Sequence, residues 1–117
     1  MRFRKTDLFF ISLLVSCLLF FSSCQKGPQK TAVDWHKDAI NFASQGKNKE
    51  AINCFNKALK LDPMNTIIWN ERGMVLANMG RFGDAIKCFD KVMKIDPNNE
   101  EARKNKEFVL IMAKKAR

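Results

Sequence analysis

Cysteine and histidine are the side chains with the greatest potential for chemistry in this sequence, and both are scarce. The 117 residues include four cysteines and one histidine, namely Cys17, Cys24, Cys54, Cys88 and His36. A structural zinc site needs four such ligands close together, and general base catalysis most often uses a histidine held by a partner. These residues are spread singly along the chain, and no phosphate-binding or dinucleotide-binding glycine motif is present. The sequence therefore predicts a protein that is not an enzyme and that uses no metal or cofactor.

Cys24 follows a segment with the pattern of an export signal. Residues 1–5 carry three basic side chains, and residues 8–21 are almost wholly apolar. A basic start followed by a short apolar run is typical of a secretory signal, whereas a membrane-spanning helix needs about 20 apolar residues. We therefore assign residues 1–23 to a signal peptide.

The residues around the cleavage point, Phe21 to Cys24, resemble the lipobox of bacterial lipoproteins. In that family the cysteine is acylated, with chains such as palmitate, and becomes the new N-terminus. Phe21 departs from the pattern, because an aliphatic residue is usual there. The resemblance implies a lipid attached at Cys24 and a location in the bacterial cell envelope, on a membrane facing the periplasm or the exterior. Ordinary cleavage, with Cys24 unmodified, and an uncleaved membrane anchor are the two alternatives.

Residues 24–31 are polar and include the adjacent pair Gly27 and Pro28. Because both residues disfavour helix and strand interiors, we predict a short flexible tether between the lipid and a folded domain.

The rest of the sequence is organised by an internal repeat. Residues 32–65 and 66–99 align at an offset of 34, and a fixed period of this length indicates stacked pairs of helices. The matching pairs include Trp35 and Trp69, Ala51 and Ala85, Ile52 and Ile86, Cys54 and Cys88, Phe55 and Phe89, and Pro63 and Pro97.

Each period contains two amphipathic helical patterns, and their apolar faces should pack against each other. Small residues should let the two helices approach closely while aromatic residues fill the gaps around them. The glycines Gly46 and Gly80 are expected at positive φ where the first helices end, and Asn65 and Asn99 are expected to cap the helices that follow. The predicted packing residues are Trp35, Ala39, Phe42, Ala51, Phe55 and Pro63 in the first copy, and Trp69, Gly73, Leu76, Ala85, Phe89 and Pro97 in the second.

The order of these residues within each period resembles the tetratricopeptide repeat family: tryptophan fourth, small residues eighth and twentieth, an aromatic residue twenty-fourth and proline thirty-second. The resemblance implies an all-α fold, a right-handed α-α superhelix of two tetratricopeptide-like helix pairs, with residues 100–117 as a C-terminal capping helix. Asp38 and Arg72 stand where leucine is usual, Asn48 replaces an aromatic residue, and Leu76 replaces tyrosine. Since about three units are normally needed, we expect marginal stability, or support from self-association or a bound partner.

The resemblance also implies a groove for a protein partner. In this family the inner face of the first helices holds an extended peptide or a partner helix. Some members clamp a C-terminal carboxylate with basic and amide side chains, but two of the matching places here hold Glu71 and Glu101, which disfavours such a clamp. Carried over by position, the groove residues are Val33, His36, Lys37, Ile40, Ile67, Asn70, Glu71, Met74, Asn78, Lys104 and Phe108.

Cys54 and Cys88 occupy equivalent places in the two copies. Equivalent points on stacked helices lie roughly 8–10 Å apart, whereas the Cα atoms of a disulfide lie within about 7 Å. We therefore predict two small buried side chains, with an intermolecular bridge as the alternative.

Two functions follow from these observations. The first is a non-enzymatic interaction scaffold that is tethered by lipid to an envelope membrane and binds a peptide or partner helix in its concave groove. The second is a structural subunit whose repeats complete a larger solenoid or oligomer. A net charge of +9 is compatible with an anionic partner, but export and the lack of a basic and aromatic base-binding motif argue against nucleic acid.

Overall fold

The computed structural model describes residues 27–117, which form five α-helices and no strand within that range. The helices are α1 (Ala32–Ser44), α2 (Asn48–Leu61), α3 (Thr66–Asn78), α4 (Phe82–Ile95) and α5 (Glu100–Lys115). α1 packs on α2, α3 packs on α4, and α5 closes the end of the stack against α4. This arrangement confirms the predicted all-α superhelix of two helix pairs with a capping helix.

The signal peptide over residues 1–23, the lipid at Cys24 and the start of the tether lie outside the described residues. Among the five helices of residues 27–117, none is both long and apolar enough to cross a membrane.

The helix boundaries follow from local side chains. Gly46 and Gly80 have φ angles of 74° and 75°, and these left-handed conformations end α1 and α3 as predicted. Asn65 Oδ1 accepts a hydrogen bond from the backbone N–H of Ile68 at 3.2 Å, and Asn99 caps α5 in the same way. Both predicted caps are therefore confirmed.

Thr31, which the sequence placed at the end of the tether, also caps a helix. Its hydroxyl accepts a hydrogen bond from the backbone N–H of Asp34 at 3.2 Å, and its own backbone N–H donates to the Asp34 carboxylate at 2.9 Å. Hydrogen bonds from the Thr31 backbone and then from its hydroxyl lower the pKa of Asp34. The end of the tether is thus fixed to α1, and the caps at residues 31, 65 and 99 share the 34-residue spacing.

The hydrophobic core runs through both repeats and into the capping helix. Phe55 and Phe89 are buried at equivalent places in α2 and α4, and Val109 of α5 is also buried. By contrast, Pro63 and Pro97 are exposed. The prolines follow the C-caps of α2 and α4 and do not pack in the core, which corrects their assignment as packing residues. The reason is that proline disfavours helical geometry in the residue before it, so its place is at a helix end, outside the packed faces.

At Gly73 of α3, the second helix pair leaves no room for a side chain. A Cβ atom at this position would lie 2.7 Å from Cε1 and 2.9 Å from Cζ of Phe89, and 3.1 Å from Cβ of Cys88. These separations are shorter than van der Waals contact, so the Phe89 ring occupies the space that any side chain would need. The sequence predicted a small residue here opposite Ala85, but the ring of Phe89 is what requires it.

Asp38 and Arg72 stand where leucine is usual, and both form polar contacts with other side chains. Arg72 Nε of α3 donates to Asn56 Oδ1 of α2 at 2.8 Å, and Lys106 Nζ of α5 donates to Asp90 Oδ1 of α4 at 2.6 Å. The two pairs are related by the repeat offset of 34. Each joins a second helix to the first helix of the next unit, so polar side chains fix the spacing between successive units.

We predict that Gly73→Ala destabilises the fold because the new methyl group would overlap the Phe89 ring. The expected loss is about 1–3 kcal/mol of unfolding free energy, measured by urea denaturation followed by circular dichroism. Gly83→Ala is the matched control, since a Cβ atom at Gly83 of α4 meets nothing within 4 Å. That variant should be neutral or slightly more stable. Equal losses in both variants would contradict the proposed role of the Phe89 contact.

Candidate interaction face

The two cysteines of the described helices lie in the interior of the domain. Cys54 and Cys88 are both free and buried, and Arg72 Nη1 donates a hydrogen bond to the Cys88 sulfur at 3.0 Å. Burial raises the pKa of both thiols. Residues 27–117 contain no group of three or more His, Cys, Asp or Glu side chains placed to hold a metal ion. The surface formed by the first helices is therefore the strongest candidate for a functional site.

A row of paired polar side chains joins the first helices. His36 Nε2 of α1 contacts the carboxylate of Glu71 on α3, and Asn105 Nδ2 of α5 donates to Asn70 Oδ1 of α3 at 3.1 Å. Both pairs span 35 residues, and one is the other shifted by the repeat offset of 34. We call these two pairs the polar ladder. They align α1, α3 and α5 side by side in one register.

The polar ladder changes the expected roles of its members. Asn70 is only 7% exposed and is bonded to Asn105, so it belongs to the interface between α3 and α5 and is not an open groove residue. Glu71 and His36 are partly covered by each other, and the His36 ring lies 6.2 Å from the Phe55 ring, centroid to centroid. Polar groups that are buried need a hydrogen-bond partner, which explains why Asn70 pairs with Asn105 and does not line an open groove.

Two apolar rows flank the polar ladder on the same surface. On α1, Val33 and Ile40 lie three residues before and four residues after His36, which places all three on one helical face. At the repeat offset of 34, Val33 matches Ile67 of α3, and Ile40 matches Met74 of α3 and Phe108 of α5. The exposed fraction of the side chain is between 45% and 62% for Val33, Ile40, Ile67 and Phe108, and Met74 is half-buried. We call this surface, comprising the two apolar rows and the polar ladder between them, the interaction face.

Further polar residues of the first helices border the interaction face. Lys37, Asn78, Glu101 and Lys104 are all exposed. A small cavity near the start of α3 and α5 is lined by Thr66, Ile67, Asn70, Glu71, Asn99 and Glu101. Glu71 and Glu101 supply two carboxylates to its lining. The geometry suits apolar side chains flanked by amides and is unfavourable for a free carboxylate.

The polar ladder was missed from the sequence because its partners differ in type. A histidine pairs with a glutamate in one step and two asparagines pair in the next, so alignment of the two repeats shows no match. The pairs could have been predicted from position alone. Once the 34-residue period is known, residues at equivalent places on neighbouring first helices are expected to be in contact.

Comparison with protein families finds repeats of one kind. A model described as "TPR repeat" matches residues 41–80, and one described as "Tetratricopeptide repeat" matches residues 67–99. Among curated proteins, no match is found.

Several solved structures share the fold. The second TPR domain of Spaghetti (RPAP3), bound to the HSP90 peptide SRMEEVD, is 19% identical with a TM-score of 0.68, over 74% of this chain and 80% of that one. The TPR2B domain of yeast Sti1 in a complex with pHsp70 is 21% identical with a TM-score of 0.67, over 72% and 67%. MamA, from residue 41 to its end, of Desulfovibrio magneticus RS-1 is 25% identical with a TM-score of 0.70, over 76% of this chain and 50% of that one. At these identities the likeness establishes the architecture.

We predict that the polar ladder stabilises the contact between α3 and α5. Asn70→Ala removes the buried member of the pair and leaves the half-buried amide of Asn105 without its partner, and the expected cost is about 1–2 kcal/mol in urea unfolding. Lys104→Ala, an exposed change on the same helix as Asn105, is the control and should cost less than about 0.5 kcal/mol.

The double variant Asn70→Ala plus Asn105→Ala should lose less than the sum of the single losses, by about 0.5–1.5 kcal/mol, because the two side chains share one interaction. Strictly additive losses would contradict the pairing.

Proposed function

We propose that this chain, which carries tetratricopeptide repeats over residues 41–99, is a non-enzymatic scaffold that binds a peptide or partner helix on its interaction face. The observation that carries the proposal is the set of exposed apolar side chains on one surface, Val33 and Ile40 of α1, Ile67 of α3 and Phe108 of α5. Exposed apolar side chains that are grouped on one surface and bordered by polar residues often mark a site where a partner binds. His36 and Asn105, two partly exposed members of the polar ladder, supply imidazole and amide groups that can orient a bound backbone.

The chemistry of the interaction face also defines the partner. Ile40, Ile67 and Phe108 favour a segment with apolar side chains, since burying one such side chain fully is worth about 1.5–3 kcal/mol. Glu71 and Glu101 disfavour a chain that ends in a free carboxylate. The partner segment is therefore internal to its own protein. In this respect the proposed partner differs from the acidic peptide bound to the Spaghetti domain.

A structural subunit of a longer solenoid is the second candidate, and the polar ladder argues against it. If copies stacked end to end in the same register, Lys104 of one copy would face Lys37 of the next, as Asn70 faces Asn105. Both lysines are exposed. Like charges placed against each other disfavour association. Lys37 and Lys104, at the two ends of the polar ladder, therefore favour a domain that does not stack end to end with further copies.

The scaffold acts at a membrane, through acyl chains on Cys24. The support for this part is the resemblance of residues 1–24 to a lipoprotein signal. Two or more acyl chains hold a protein stably to a bilayer, whereas one does so only reversibly. Thr31 is the seventh residue after Cys24, so an extended tether reaches about 25 Å at most. The domain is thus held beside the bilayer with little freedom to leave it.

We predict that Ile67→Ser combined with Phe108→Ser abolishes capture of the partner from an envelope extract. Both side chains are more than half exposed, so the fold should be unaffected while two apolar contacts are lost. The affinity should fall by at least about tenfold, since each 1.4 kcal/mol is one factor of ten. Binding of the captured protein is then measured with purified components by calorimetry.

The matched control is Leu61→Ser combined with Met64→Ser, which removes two side chains of similar exposure outside the interaction face. This variant should bind as the wild type does. Equal loss in both variants, or no loss in either, would contradict the proposal. As a further control, the peptide SRMEEVD should show no saturable binding, because its carboxylates would meet Glu71 and Glu101.

For the anchor, we predict that Cys24→Ser moves the protein from the detergent phase to the aqueous phase in a two-phase extraction, because no acyl chain can then be attached. Cys17→Ser makes the same chemical change within the signal segment and should leave partitioning unaltered. Unchanged partitioning of Cys24→Ser would rule out the lipid anchor and favour a retained apolar segment.

A further inference from the structure

The end of the domain where the tether arrives carries a cluster of lysines around an indole ring. Lys30 Nζ lies 4.5 Å and Lys57 Nζ 4.2 Å from the centroid of the Trp35 ring, so two ammonium groups lie over the indole. Lys60 and Leu61 line the same depression, together with Pro28 and Gln29 of the tether. We call the surface formed by Lys30, Trp35, Lys57, Lys60 and Leu61 the Trp35 face.

The Trp35 face has an excess of positive charge. Lys30 is paired with Asp38, at 2.5 Å from Nζ to Oδ2. Lys57 and Lys60 are exposed, and neither forms an ion pair with any residue of the range 27–117. Leu61, which lines the same depression, is 57% exposed, and Met64, three residues later in the chain, is 60% exposed. Apolar side chains therefore accompany the free cations.

This combination suits the headgroup region of a bilayer. Indole rings are enriched at that depth, and lysines can lay their methylene stems on apolar surface while the ammonium groups reach the phosphates. Each lysine near an anionic surface strengthens binding by roughly fivefold. A small water-soluble anion would use the lysines but would gain nothing from Leu61 and Met64.

The length of the tether places the Trp35 face at the membrane. Pro28 lines the depression and is four residues from Cys24, an extended distance of about 14 Å. Attraction between charges extends over about 8–10 Å in salt solution. A domain anchored at Cys24 therefore presents this surface within reach of the headgroups.

We propose that the Trp35 face docks on the anionic headgroups of the membrane that carries the lipid anchor. This inference rests on the acylation of Cys24 proposed above. Docking turns a flexible attachment into an oriented one, with the first repeat nearest the bilayer and the second repeat farther out.

The second repeat supplies a matched control. Trp69 and Lys91 have the same sequence separation as Trp35 and Lys57, and Lys94 corresponds to Lys60. Trp69, Lys91 and Arg72 also line a depression. This surface resembles the Trp35 face in composition but has no tether beside it.

The experiment uses the processed lipoprotein, whose acylation is verified by intact mass, in vesicles of phosphatidylcholine with or without phosphatidylglycerol. The variant Trp69→Phe leaves Trp35 as the one source of tryptophan fluorescence, since the chain has two tryptophans. Lipids that carry a quencher in the headgroup region should quench Trp35 more strongly in the anionic vesicles. The additional quenching in anionic vesicles should be lost in the variant Lys57→Gln plus Lys60→Gln. It should be retained in the control variant Lys91→Gln plus Lys94→Gln.

If Trp69→Phe does not fold, the same lysine variants are compared with both tryptophans present. Equal quenching of the acylated protein in the two vesicle types, or equal loss in the two lysine pairs, would overturn headgroup docking and leave the anchor intact. An unmodified Cys24 in the mass spectrum of the starting protein would overturn both.

Discussion

The contact between the Phe89 ring and the bare Cα of Gly73 sets how closely α3 and α4 approach. The nearest ring carbon of Phe89 lies 2.7 Å from where a Cβ atom of Gly73 would stand, which leaves no room for a methyl group on α3. Because packed interiors have few voids, this contact helps to set the position of α4 relative to α3, and α5 then packs on α4. The alignment of the helices that form the interaction face thus depends in part on a packing constraint within the second helix pair.

Within that frame, polar pairs set the register between units. The polar ladder, His36 with Glu71 and Asn70 with Asn105, lies on the interaction face, while Arg72 with Asn56 and Lys106 with Asp90 connect each unit to the second helix before it. A polar pair at an interface contributes little net energy, but a slip in register would leave its groups unpaired. The apolar rows therefore stay aligned as one surface on which a partner can lie.

The fold was predicted from sequence because its determinants repeat with identical residues. Tryptophan, alanine, phenylalanine and glycine recur every 34 residues, and they specify the helices, their ends and their packed faces. The polar pairs could not be found in this way, because the same positions carry different side chains in each unit. Thr31 was assigned to the tether for a similar reason: Asn65 and Asn99 occupy its place in the later units, and the alignment began one residue too late. The burial of Asn70 depends on contact with α5, which residue types alone do not show.

The central claim is that the first helices together hold a protein segment on one continuous surface. Its most direct test is methyl nuclear magnetic resonance during titration with the captured partner. The account predicts shifts for the methyl groups of Ile40, Ile67 and Met74, which lie on the interaction face, and none for Ile86 and Ile95 of α4. Shifts confined to α4, or spread evenly over all five residues, would contradict it.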